Sequence, residues 1–230
     1  MTDVELLEEV RRLRADGATP KEIARALGMR PAAIAPLIRH VAAERPDGAA
    51  SEAGFARCWV SPGWSRELHV VSREGWEDVD LGEDGPAGVA LALVARAGRG
   101  DRVTVCGYLV DTFCLGVKNV IGPERMRERD LPAFVRMYFQ AFPAPALRAP
   151  IELARHLVLG AVEFASGLGL APHPDFEAAR EHLGELDEAC AITFGRRGRP
   201  LYVPGPFDDP IAIMETLGGT IGADGFAVAA

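Results

Sequence analysis

The chain has 230 residues, 25 Lys+Arg against 33 Asp+Glu, a formal net charge of −8, 48% hydrophobic residues and four cysteines. That length makes one large domain or a small module beside a mid-sized one, and the apolar fraction is enough to offset chain entropy without a metal or disulfide staple. The balance excludes a polybasic protein that coats nucleic acid, and it excludes disorder as the dominant state.

Residues 4–44 carry helical periodicity. Glu5–Arg14 is predicted as a first helix with Leu6, Val10 and Leu13 on one face, stopped at Asp16-Gly17. Thr19 supplies an N-cap, Pro20 the first helical position and Glu22 the far member of a capping box, so a second helix runs over Pro20–Leu27 with Ile23, Ala24 and Leu27 inward. Gly28 tolerates the positive φ of a tight turn. A third helix is expected from about Pro31, with Ile34, Leu37, Ile38 and Val41 inward.

The string Thr19-Pro20-Lys21-Glu22-Ile23-Ala24-Arg25-Ala26-Leu27-Gly28-Met29, continued by Ile34 and Ile38, resembles the helix-turn-helix superfamily, in the tri-helical form of sigma-factor and response-regulator DNA-binding domains. The resemblance implies DNA binding, with the third helix in the major groove and Lys21, Arg25, Arg30 and Arg39 on phosphates or bases. Of the outward positions on that helix only Arg30 and Arg39 suit base edges, and Pro36 removes one backbone hydrogen bond. The alternative is a helical hairpin that packs on the rest of the chain or on a partner.

Residues 45–54, Arg-Pro-Asp-Gly-Ala-Ala-Ser-Glu-Ala-Gly, read as a linker. Short strands follow at Phe55–Val60 and Leu68–Val71, separated by Ser61-Pro62-Gly63. Val89–Ala97 is an apolar run of strand or short-helix length, and Arg102–Val110 has the two-faced apolar pattern of a central strand. Helices are predicted over Leu131–Phe142, Pro150–Leu168 and Asp175–Cys190. Ala191–Phe194 and Leu201–Val203 are predicted as a hairpin around Gly195-Arg196-Arg197-Gly198, and Asp209-Pro210 as the cap and first residue of a helix over Ile211–Leu217. The predicted fold class is α+β, with an all-α helix-turn-helix module at 1–44, a linker at 45–54 and a larger α+β domain at 55–230.

Charge divides with the domains. Residues 1–47 hold eight acidic and eight basic side chains, which leaves 25 acidic and 17 basic beyond them, so the whole −8 lies in the larger part. The neutral N-terminal module is therefore the better candidate for a nucleic-acid contact.

In the larger domain Asp111 is the sole carboxylate of a long apolar stretch that includes Cys114 and precedes Lys118. A buried carboxylate needs hydrogen bonds or a cation, and Lys118 or an arginine is a suitable partner. One interpretation makes Asp111 a general base and Cys114 a nucleophile, with Lys118 and His173 assisting. The simpler one makes Asp111 a cap on the following turn and Cys114 a core residue. His173-Pro174-Asp175 offers two metal-ligand types but no third ligand, and Asp175 is expected as a helix N-cap. Glu152, His156 and Glu163 share a helical face opposite the apolar stripe, which predicts a solvated face. In Asp208-Asp209 the second residue caps the helix and the first is expected to be exposed.

No metal site and no cofactor is expected. No P-loop, dinucleotide fingerprint, nucleophile elbow or kinase motif set is present. Absence of a signal-like N-terminus, of a bilayer-length apolar run and of any C-x-x-C pair predicts a cytoplasmic protein with reduced thiols and no membrane contact. The sequence favours a transcriptional regulator that binds DNA as a homodimer, its larger domain sensing a small molecule, dimerising or binding a protein partner. The alternatives are an enzyme built on Asp111, Cys114 and Lys118, and a protein–protein adaptor whose hairpin does not touch DNA.

Overall fold

The computed structural model describes residues 9–10, 20–29, 56–82 and 86–229. The chain divides into two compact units, Met1–Gly54 and Phe55–Ala230.

In the first unit Glu9 and Val10 are helical, and helix α1 spans Pro20–Ala26. It ends in a Schellman arrangement. The amide of Met29 donates to the Ala24 carbonyl at 2.8 Å and that of Gly28 to the Arg25 carbonyl at 3.3 Å, with Gly28 at φ +63°. Ile23 and Ala24 are buried and Arg25 is exposed. The expected first and third helices, the Thr19 cap and the 45–54 linker lie outside the described residues.

The expected fold class needs correction. The described structure is α+β with a core built mainly on a five-stranded sheet, and no all-α N-terminal module is seen. Strands β1 (Ala56–Val60), β3 (Val89–Ala97), β4 (Arg102–Asp111), β5 (Gly116–Arg127) and β6 (Leu147–Ala149) form that sheet in the order β5-β4-β3-β1-β6, every neighbour antiparallel.

Side chains alternate across the pleat, and both faces are covered. Ala90, Ala92 and Val94 of β3, with Cys106, Tyr108 and Val110 of β4, pack with Leu153, Leu157 and Ala161 of the long helix α3 (Ile151–Gly167). On the other face Leu93, Ala95, Val103 and Val105 pack with Leu131, Phe134 and Val135 of α2 (Leu131–Tyr138), which follows a 3-10 turn at Glu128–Asp130. Burial on both faces is why the two central strands are nearly continuous apolar runs. β5 is an edge strand, and Pro123 falls in a register shift between Ile121 and Glu124, where it has no paired residue on β4.

Helix α4 is only Phe176–Arg180, far shorter than the predicted Asp175–Cys190. Asp175 occupies the N-cap position, but its side chain makes no capping bond. The expected hairpin is also corrected. β7 (Ile192–Thr193) pairs with β2 (His69–Val70), and β8 (Leu201–Tyr202) pairs in parallel with β9 (Ala227–Val228). Only a single bridge, Arg196 with Arg199, marks the turn between β7 and β8. Helix α5 spans Pro210–Ile221, and the Asp209 carboxylate accepts from the Ala212 amide at 3.2 Å, the cap its sequence predicts. Leu217 of α5, Tyr202, Leu168, Leu115 and Cys114 form a smaller apolar cluster that seats the C-terminal segment at the Asp111 end of the sheet.

Candidate functional site

The β4–β5 hairpin and the loop before α5 enclose a cavity of about 700 Å³, within the range of roughly 300–1,000 Å³ usual for small-molecule sites. Its floor comes from one face of the sheet. Val89 pairs with Asp111, and Leu109 pairs with Asn119, so these four side chains share that face. The opposite wall is the loop Val203–Asp208.

A β-bulge sets the chemistry of the floor. Leu109 is opposite Asn119 and Val110 is opposite Val117, which leaves Lys118 as the extra residue of β5. A bulge re-aims the side chains beside it. Here Lys118 lines the cavity next to Asn119, although strict alternation would send neighbours to opposite faces. Lys118 Nζ lies 2.8 Å from Oδ1 and 2.9 Å from Oδ2 of Asp208. The Asp208 side chain is only 8% exposed, which corrects the expectation that it faces solvent. Burial works to raise its pKa, but Lys118 and the Gly205 amide outweigh that and hold it below the ordinary carboxylate value.

Asp111 ends β4. Its Oδ1 accepts from the amides of Phe113 and Cys114, each at 2.9 Å, so it caps its own turn. The turn is tied to three other segments: Thr112 donates to the Gly88 carbonyl, and the amides of Gly195 and Leu201 donate to the carbonyls of Thr112 and Phe113. Burial raises the Asp111 pKa, with the turn amides and Lys118 opposing it. His173, whose amide donates to the Val117 carbonyl, lines the same cavity. Its Nδ1 accepts from the Asp175 amide at 3.2 Å, which leaves the proton of the neutral ring on Nε2.

Asp111, Lys118 and His173 are thus brought around one cavity. Cys114 is not. It is fully buried in the apolar cluster beneath, and burial beside Asp111 pushes its thiol up to about 12. A nucleophilic cysteine needs a populated thiolate, so the catalytic role considered for Cys114 has no support in this environment. Of the candidate DNA contacts, Arg25 is exposed near the end of α1. The Lys21 side chain, Arg30 and Arg39 lie outside the described residues.

Sequence reasoning missed Asn119, the Val203–Asp208 wall and the role of Asp208. The doublet Asp208-Asp209 held the one available signal, since a helix cap uses only one carboxylate. It also placed His156 on a solvated face. Glu152 and Glu163 are exposed, but His156 is 0% exposed, because the 188–191 segment and Trp76 cover that side of α3. Its Nδ1 accepts from the Ala191 amide at 3.0 Å, so Nε2–H donates to Glu188 Oε1 at 3.1 Å. Arg73 donates to the same carboxylate. With both ring nitrogens engaged, His156 positions the 188–191 segment.

Among the described residues no group of three or more His, Cys, Asp and Glu is placed to hold a metal ion, and no helix is long and apolar enough to cross a membrane. Comparison of the chain with protein families, with curated proteins and with solved structures finds no match.

Proposed function

We propose that the unit Phe55–Ala230 is a small-molecule-binding domain with its ligand in the cavity between the β4–β5 hairpin and the Val203–Asp208 loop. The observation that carries this is the Lys118 bulge. One of two register shifts between β4 and β5 brings a cation to an apolar cavity and joins it to a carboxylate on the facing wall. A concave, mainly apolar site with a few converging polar groups is the usual form of a ligand pocket. Screening a small-molecule library against the full chain by thermal shift tests it. A ligand at a hundred times its Kd adds about 2.7 kcal/mol of apparent stability. That gain disappears in Leu109→Trp, which fills the floor. Failure to find any ligand, or ligands that stabilise Leu109→Trp equally, overturns the proposal.

A second function, DNA contact by the N-terminal unit, is favoured by the tight glycine turn that ends α1, with Ile23 and Ala24 buried and Arg25 exposed. Joined to a ligand-binding domain, it makes the chain a ligand-responsive regulator, working as a homodimer because one neutral module binds weakly. Anisotropy titrations with duplex DNA test it. Affinity that falls steeply with salt and is lost in Arg30→Ala/Arg39→Ala supports DNA contact, and absent or salt-insensitive binding removes it.

A further inference from the structure

We infer that the ligand of this cavity is a cation, an ammonium carried on an apolar or aromatic body. The inference rests on the small-molecule-binding function proposed above and names the ligand's class.

The charge count of the wall carries it. Among the described residues the titratable lining consists of Asp111, Asp208, Lys118 and His173. Lys118 and Asp208 neutralise each other at 2.8 Å. No described cation stands within ion-pair distance of Asp111, on the floor of the cavity and only 5% exposed. The Phe113 and Cys114 amides, with that of Leu115, take three of the roughly four acceptor positions of that carboxylate. These amides supply dipoles, not a full countercharge. An ammonium entering the cavity supplies the countercharge, in a site walled on one side by the sheet where pairing is worth more than in water.

A ligand carboxylate meets the opposite situation. It brings its negative charge against the Asp111 carboxyl, and Lys118 is already held by both oxygens of Asp208. A neutral ligand leaves Asp111 as it is. The rest of the wall sets the body of the ligand. Val89, Leu109 and Phe113 are apolar, and Phe207, on the Val203–Asp208 wall, is 98% exposed. An apolar body reaching outward covers the Phe207 ring and removes it from water.

Three probes of one shape separate the classes: 2-phenylethylamine, 2-phenylethanol and 3-phenylpropanoate, titrated calorimetrically into the full chain at neutral pH. The amine is expected to bind about tenfold more tightly than either of the others. Asp111→Asn, which keeps the Oδ1 acceptor of the turn, brings the amine down to the level of the alcohol. Lys118→Met removes the competing cation and widens the lead of the amine, whereas loss of a purely structural lysine weakens all three alike. Should Asp111→Asn fail to fold, the Lys118→Met comparison decides alone. Alcohol or carboxylate binding as tightly as the amine, or no amine binding, overturns the ammonium class. If the library screen still yields a ligand sensitive to Leu109→Trp, the cavity function survives that loss; if it yields none, both fall.

Discussion

Lys118 Nζ reaches both carboxylate oxygens of Asp208, at 2.8 and 2.9 Å, across 90 residues of sequence. The pair joins the sheet edge to the loop that walls the cavity, and the same Asp208 Oδ2 accepts from the Gly205 amide at 2.8 Å. Asp208→Ala therefore frees the loop and leaves a mostly buried ammonium unpaired. A loss of about 1–3 kcal/mol in denaturant unfolding is expected. A double-mutant cycle with Lys118→Met and Asp208→Asn is expected to give a coupling of about 1–2 kcal/mol, and a coupling near zero shows that solvent already screens the pair.

Asp111 combines a required hydrogen-bond acceptor with an unfavourable buried charge. Asp111→Ala orphans the Phe113 and Cys114 amides at an expected cost of about 1–3 kcal/mol, while Asp111→Asn keeps an acceptor at Oδ1. The pH dependence has a definite sign. Burial raises the folded-state pKa above the ordinary value of 3.8, so the folded chain holds this proton more tightly than the unfolded one. The stability it contributes is present at low pH and is lost as pH rises from about 3.8 through the raised value. Asp111→Asn is thus expected to gain on the wild type as pH rises through that window. Parallel pH–stability curves contradict the assignment.

Gly116 opens β5 at φ +66°, where a Cβ would stand 2.8 Å from the Ala161 carbonyl oxygen and 2.8 Å from the Ala165 Cβ. The close seating of α3 on the hairpin thus depends on a residue without a side chain. Gly116→Ala combines left-handed strain with a backbone clash, and a loss of about 2–4 kcal/mol is expected from thermal or denaturant unfolding. The Lys118 bulge lies two residues along, so a lowered affinity for the cavity ligand is expected as well.

The four thiols differ in reach. Cys58, Cys106 and Cys114 are buried, with burial pushing them to about 12, 11 and 12, while Cys190 is half-buried. Labelling of the native chain with a thiol-reactive chromogen is expected to modify at most one cysteine per chain before unfolding. Fast labelling of Cys114 by mass mapping returns it to consideration as a nucleophile.

Where local chemistry decided an outcome, the amino-acid string was enough. Helix α3 follows the three-and-four spacing of its leucines and alanines, whereas Val89–Ala97, an apolar run that suits strand or short helix, is a strand because the fold covers both of its faces. Asp209-Pro210 caps and opens α5 because those residues satisfy a helix start whatever lies around them. Gly28 turns α1 for the same reason.

What the string left open depended on partners far along the chain. β5 reads poorly because an edge strand needs only one buried face and tolerates Pro123 and four charged residues. Ile192–Thr193 and Leu201–Tyr202 lie close enough for a hairpin, yet each finds a different partner, since strand pairing follows the tertiary arrangement. His156 has the spacing of a solvated position, and only the fold lays the 188–191 segment over it. The local signals of the chain predicted α+β and drew attention to Asp111 and Lys118, but not that the core is built mainly on a five-stranded sheet. The described residues of the N-terminal unit are helical Glu9–Val10 and helix α1 with its turn, and no all-α module is seen. Only tertiary structure placed Lys118 opposite Asp208 and Asp111 on a cavity floor, because a bulge and a 90-residue closure are properties of the folded chain and not of any local window.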